Sequence, residues 1–424
     1  VENTAISLNR LFNDNIEEMT VPHTAGWPFS NIDGPAAALA SFLDSLPARP
    51  RLLALGEPTH GIDGLPRQRN RIFEHLVRHE GYRSIAVESD CLGGLIVDDF
   101  ICGRTDSLGE AMKLGFSHGL GESEANTELV EWMAEQNRSR EPEDKLRFYG
   151  FDAPTEMMYA FSPRAALLAL HDFLDAHLDA VPHRRDTIDA LLGEDDRWTN
   201  PDAAMDPAQS VGGSQDVARL RLIADDLGAQ LVSQMPHLVA ATSRDDWWRA
   251  ALRARAAAGL LRYHAAMADG SPERFGWLMR LRDAMMAENL LDIAAREARR
   301  GPTLVFAHNA HLQKDESSWD SMVGLFTWWS AGAIAAVPLG DEYAVLAMAF
   351  GEAPERGLAI PAPETVEGAL AALPADGYVF TAKRLADAVG GAAPRTDHSP
   401  EQGYAPLDSG HLGGFDGVLF LREV

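Results

Sequence analysis

Six residues have the types and the placing to move protons. They are Glu57 and His60 in L-G-E-P-T-H-G, Glu88 in A-V-E-S-D, Asp152 in Y-G-F-D, and His308 with His311 in A-H-N-A-H-L. Imidazoles set beside carboxylates can carry out general acid–base hydrolysis. Two or three histidines with several carboxylates can equally hold a metal ion. Each group follows a short apolar run, at 52–55, 84–87, 146–151 and 303–306. Such runs, bounded by Gly or Pro, read as buried strands.

The elements between these runs give the strands a common direction. Residues 65–79 have helical periodicity, with Ile72, Phe73, Leu76 and Val77 apolar and Arg67, Arg69, Arg71 and Arg78 polar, and Gly81 closes the segment as a C-cap. The order strand, loop, helix, strand, acidic residue is a βαβ unit. It predicts a right-handed crossover and a parallel pair. In a parallel sheet the C-terminal strand ends share one edge, where ligands bind, so residues distant in sequence converge there.

Further helices are expected at 92–102 and 124–138, and in two pieces over 2–47 broken around 21–33. From about 162 to 300 Ala, Leu and Arg dominate. That stretch reads as a set of helices, including 217–232, 247–267 and 280–300, with a polar, mobile loop at 195–213. Strands are expected again at 334–338, 343–350, 377–380 and 415–421. The fold class is therefore α/β, a mostly parallel central sheet flanked by helices. Residues 1–155 and 301–424 would form the catalytic core, with 156–300 as a large α-helical insertion.

Composition narrows the function. The 424 residues are 46% hydrophobic and 24% charged, which is ordinary for globular chains. The net charge of −26 argues against nucleic acid, whose phosphates need concentrated Lys and Arg. It is compatible with a cationic small molecule, although acidity for solubility is the commoner cause. No run is long enough for a membrane helix, and the first residues do not read as a signal peptide. Cys91 and Cys102 offer no disulfide framework, and a cytoplasmic location is the default expectation.

Each candidate also has a structural role to weigh. A lone histidine at a strand end is often only hydrogen-bonded there. Glu88 and Asp152 could cap following helices. Arg282 and Asp283 could be a helix-surface pair, and Arg69 could lie on a solvated face. One motif competes: Gly115-Phe116-Ser117-His118-Gly119 fits the G-x-S-x-G nucleophile elbow. That elbow needs a strand before its serine, and 107–114 shows none.

Together with R-L-R-D-A-M-M-A-E-N at 280–289, these blocks resemble the erythromycin esterase-like family, in the same order, across residues 52–312. Pro58 departs from the small residue expected there. The resemblance implies an α/β core with a helical portion covering a deep cleft, and hydrolysis of a macrolactone ester without a metal or other cofactor. It implies His60 as general base, assisted by Glu57, with Arg69, Glu88, His308 and His311 as further active-site residues. Asp152, Arg282 and Asp283 are expected to bind substrate, a small-molecule ester or lactone. Some members carry names referring to polysaccharide biosynthesis, so acyl transfer and simple ligand binding stay open. So does a metal-dependent hydrolase, in which His60, His308, His311 and Glu88 would make an N/O set for Zn²⁺ or Mn²⁺. Specificity would lie in the helical insertion and the loops at 195–213 and 397–414, with Trp247, Trp248, Trp277, Trp328 and Trp329 as cleft or core.

Overall fold

The computed structural model describes residues 21–22, 24–156, 159–321, 324–398 and 403–424. The first of the two N-terminal helices expected from the sequence lies outside them. The strands are β1 (Trp27–Phe29), β2 (Leu52–Glu57), β3 (Ser84–Asp90), β4 (Arg147–Asp152), β5 (Thr155–Glu156), β6 (Tyr159–Ala160), β7 (Thr303–His308), β8 (Glu316–Ser321), β9 (Gly324–Trp329), β10 (Tyr343–Glu352), β11 (Gly377–Thr381) and β12 (Gly417–Glu423). The class is mixed α/β with an eight-stranded, mostly parallel sheet in the order β1-β11-β12-β10-β2-β7-β3-β4, flanked by many helices.

The chain divides into two compact units, residues 46–347 and residues 1–45 with 348–424. The larger unit holds the parallel strands. β2 is buried along its whole length, and so is β3 up to its last residue. Strands covered on both faces lose the polar–apolar alternation, which is why these runs are continuous. β2 pairs in parallel with β10 and β7, and β7 pairs in parallel with β3, which pairs with β4. The βαβ expectation therefore needs one correction. β2 and β3 are parallel members of one sheet, but β7 lies between them.

The helices over 162–300 build a core of their own in this unit. Leu167, Leu170, Leu220, Leu227 and Leu261 pack there around Trp198, which donates its indole N–H to Leu192. The stretch 195–213, expected as a loop, is a series of short 3₁₀ turns anchored by that buried tryptophan. Helix Arg274–Glu297 runs antiparallel to β4: Arg282 meets Asp152, Asn289 donates to the Phe151 carbonyl, and Glu297 accepts from the Tyr149 hydroxyl. That path carries Arg282 to the C-terminal sheet edge.

Gly150 allows the close approach of β3 to β4 where their register slips between Val87 and Asp90. A Cβ at Gly150 would lie 2.2 Å from the Asp90 carbonyl oxygen. Backbone cannot swing aside as a side chain can. Gly150→Ala is expected to cost about 1–3 kcal/mol, the usual range for overpacking, read as a lowered urea midpoint.

In the smaller unit β1, β11 and β12 pair antiparallel, with helices Ala36–Ser45, Val366–Ala371 and Ala382–Val389. Its core includes Val366, Leu370, Phe380, Leu385, Val418 and Phe420.

Two further differences from expectation have simple causes. Residues 334–338 belong to a helix, Ala331–Leu339, and not a strand. A short apolar run does not reveal its period, and the decisive signal is the Ser330 N-cap, whose hydroxyl accepts from the Ala333 N–H at 2.9 Å. The β8–β9 hairpin was not anticipated, because its strands are mixed in polarity and largely exposed.

Candidate active site

The site lies wholly in the larger unit, at the C-terminal ends of four parallel strands. Glu57 closes β2, Glu88 sits near the end of β3, Asp152 closes β4 and His308 closes β7. Glu57 and His308 are register partners. The loop after β2 brings His60 back over Glu57, and helix Arg274–Glu297 adds Arg282 and Asp283.

His60 is held from below by a buried carboxylate. Its Nδ1 is 2.7 Å from Glu57 Oε1, while Nε2 faces Glu88 Oε2 at 3.8 Å, too far for a hydrogen bond. The side chain is 48% exposed. Desolvation lowers its pKa, but the charge of Glu88 and the Glu57 hydrogen bond outweigh this and push it up to about 9.

Glu88 is the hub. It accepts from Arg282 Nη2 (3.0 Å) and from the His308 backbone N–H (2.7 Å), and its Oε1 lies 3.4 Å from His311 Nε2. Burial alone would raise its pKa. The facing His311, His60 and Arg282 charges reverse that and hold it well below the usual carboxylate range. Arg282 also grips Asp152 through Nε (3.0 Å) and Nη2 (2.6 Å). Burial works against both charges here too, but the pairing lowers the Asp152 pKa and raises that of Arg282.

The two histidines of the second motif differ. His311 Nδ1 lies 3.0 Å from Asp283 Oδ1, and its Nε2 faces Arg282 Nη1 at 3.3 Å. Desolvation lowers the His311 pKa, and the charges of Asp283 and Glu88 raise it further than that. His308 is fixed as a neutral tautomer. Its Nδ1 accepts from the Ala310 N–H (3.2 Å), so the proton sits on Nε2 and is donated to the Pro58 carbonyl (3.1 Å).

Asp283 is 0% exposed, and its Oδ1 also accepts from the Ala331 N–H at 2.8 Å. Neither it nor Arg282 belongs to a helix-surface pair. Arg69 is not on a solvated face. It is 0% exposed, lies over the Phe306 ring at 4.8 Å and donates to the Asn70 side chain. Desolvation lowers its pKa to about 10, with Glu57 and Asp63 acting in the opposite direction.

Ser117 is tied into the fold. Its hydroxyl accepts from the Asp90 N–H (2.9 Å), and its own N–H donates to Ser89 Oγ (2.9 Å). Helix Leu108–Gly115 precedes it, so the strand of a nucleophile elbow is missing. The residue that sequence reasoning passed over is its neighbour. His118 Nε2 is 3.0 Å from Asp152 Oδ2 and Nδ1 is 3.0 Å from Glu156 Oε2. The signal is a histidine inside a glycine-flanked turn, directly after the serine of the G-x-S-x-G pattern. Of the tryptophans, Trp248 and Trp328 are buried, the latter beside His311, whereas Trp277 and Trp329 are exposed.

Among the described residues no group of three or more His, Cys, Asp or Glu side chains is placed to hold a metal ion. Among them, too, no helix is long and apolar enough to cross a membrane.

No curated protein matches the chain in sequence. Among solved structures, the fold is similar to a Bacillus cereus protein at a TM-score of 0.70 and 15% identity, covering 95% of this chain and 96% of that one. It is similar to a succinoglycan biosynthesis protein at 0.66 and 15%, covering 95% of each chain. A mutant of the erythromycin esterase EreC in its open conformation matches at 0.65 and 17%, covering 91% and 92%. Residues 77–424 match the erythromycin esterase family. That stretch contains Glu88, Asp152, Arg282, Asp283, His308 and His311, and begins after Glu57, His60 and Arg69. With more than half its length matched, the chain belongs to the erythromycin esterase family.

Proposed function

We propose that the protein hydrolyses a carboxylic ester or lactone of macrolide type by direct attack of water. The observation that carries this reading is the Glu57–His60 pair. It consists of a half-exposed imidazole oriented through Nδ1 by a buried carboxylate, with Nε2 turned to the space beside Glu88. A base held by a third group is the arrangement that activates a nucleophile.

In this scheme Glu57 accepts a hydrogen bond from the Nδ1–H of neutral His60, which takes a proton from water at Nε2. The hydroxide adds to the ester carbonyl. Arg282, whose Nε and Nη2 are held by Asp152 and Glu88, offers an Nη1–H to the developing oxyanion. His60 then returns its proton to the departing alkoxide. His311, oriented by Asp283, balances the Glu88 charge. Arg69 acts on Glu57 through its field from full burial. Within this reading Asp152 and Asp283 are positioning residues, and the helical segment 156–300 covers the cleft and shapes specificity.

The pH profile follows from His60. A base with a pKa near 9 is mostly protonated at neutral pH, so kcat/KM should climb about tenfold per unit and level off near pH 9. A profile already flat from pH 7 would remove His60 as the base.

The test of function is mass spectrometry of an ester and macrolide panel after incubation. A product heavier by one water supports hydrolysis. Acyl transfer to an alcohol is the second reading, in keeping with the biosynthetic name carried by one protein of this fold. An acylated acceptor with no hydrolysed product would establish that instead.

A further inference from the structure

We propose that His118 is a positioning residue of this site: a charged imidazolium pinned between Glu156 and Asp152, it holds Asp152 in the orientation that aims Arg282 at Glu88 and His311. The charge follows from geometry. Both ring nitrogens lie 3.0 Å from carboxylate oxygens. A neutral ring has one N–H to give, and the other nitrogen would then present its lone pair to a carboxylate.

The backbone adds to the clamp. His118 has φ of 57°, in the left-handed region that few residues other than Gly adopt, and its N–H donates to Glu156 Oε1 at 3.1 Å. Asp152, wholly buried, is thus shared. His118 takes Oδ2 from one side, and Arg282 binds both oxygens from the other. Loss of the His118 proton would remove one of two cations from Asp152 and leave its orientation to Arg282 and the Ala153 N–H. The groups that face His118 are Asp152, Glu156, Arg282 and, at the end of β3, Asp90. Desolvation disfavours the imidazolium, and Asp152 and Glu156 more than offset it. The ring is only 24% exposed, which leaves it in contact with solvent protons at the rim of the site.

The consequence for the proposed hydrolysis is indirect. His118 reaches no reacting atom in this scheme. It fixes the direction of the Arg282 donors, and a misdirected donor of this kind can cost up to about 10²-fold in rate. This part rests on the ester-hydrolysis reading, while the coupling of His118 to Arg282 does not.

The experiment is a pH titration of ¹⁵N-labelled protein, following the His118 ring signals and the Arg282 Nε–H signal. His118→Asn is the variant of choice, because Asn also tolerates the left-handed backbone. The expected result is that the Arg282 signal titrates together with His118 in the wild type. In His118→Asn it should sit at the high-pH position throughout. An Arg282 signal that titrates in the variant as in the wild type would overturn the proposal. Glu156→Gln gives a second arm should the Asn variant fail to fold. It should move the His118 and Arg282 midpoints to lower pH together, and midpoints that separate would count against the proposal. On any ester found to turn over, His118→Asn should lower kcat with KM little changed. A chain that hydrolyses nothing in the panel would sink the esterase reading while the spectroscopic result still decided the role of His118.

Discussion

His60→Ala is expected to lose about 10²–10⁴-fold in kcat/KM toward its ester, the range typical of removing a general base, and to stay folded. The fold should survive because the ring is half exposed. Glu57 stays buried in the variant without the imidazole, so a modest loss of stability is expected. Its sign with pH is fixed: a raised histidine pKa stabilises fully below about 6.5, the unfolded value, and that contribution fades as pH rises through 9. Ser117→Ala is the matching control and should keep most turnover. The measurement is steady-state kinetics beside circular dichroism. Near-normal turnover in His60→Ala would end the assignment, and a dead Ser117→Ala would bring back an acyl-enzyme.

Arg282→Met should have the largest effect on stability, with activity falling as well. Arg282 lies between two buried carboxylates, Glu88 and Asp152. Its removal leaves two buried negative charges with only histidines as nearby cations, beside the His308 and Ala153 N–H donors. Breaking a buried pair on one side typically costs about 3–5 kcal/mol. The loss should be greatest near neutral pH. Glu88 and Asp152 have depressed pKa values, so their contribution is present above the ordinary carboxylate range and is lost as pH falls through their folded values. In the variant they protonate more easily, so the gap to wild type should narrow on acidification. Urea titrations at several pH values test this, and equal stability at neutral pH would refute it.

The parallel strands were legible because double burial leaves unbroken apolar runs, and each run ends at a chemical group. Leu52–Glu57 and Thr303–His308 are the clearest cases. The helices over 162–300 were legible from composition. The strand order was not, since nothing in residues 52–90 announces that a strand from residue 303 onward will sit between their two runs. Of the site, strand-end residues could be placed on one edge from sequence. The environment of Arg69 could not, because one arginine among several on a helix carries no sign of being the buried one. The roles of Asp283 and His118 depend on angles between side chains from distant elements, and such angles leave no trace in spacing.

The insertion of β7 between β2 and β3 has a bearing on biogenesis. β2, its helix and β3 leave the ribosome long before β7 and are close in sequence, but in the native sheet they never touch edge to edge. Their inner edges stay unpaired until the whole helical segment has been synthesised and β7 follows it. Exposed edges of that kind invite wrong pairing. A nascent chain stopped short of β7 would already contain Glu57, His60 and Glu88, yet the strand that spaces them would be missing. Synthesis thus leaves the acid–base machinery unassembled until β7 docks between the two open edges.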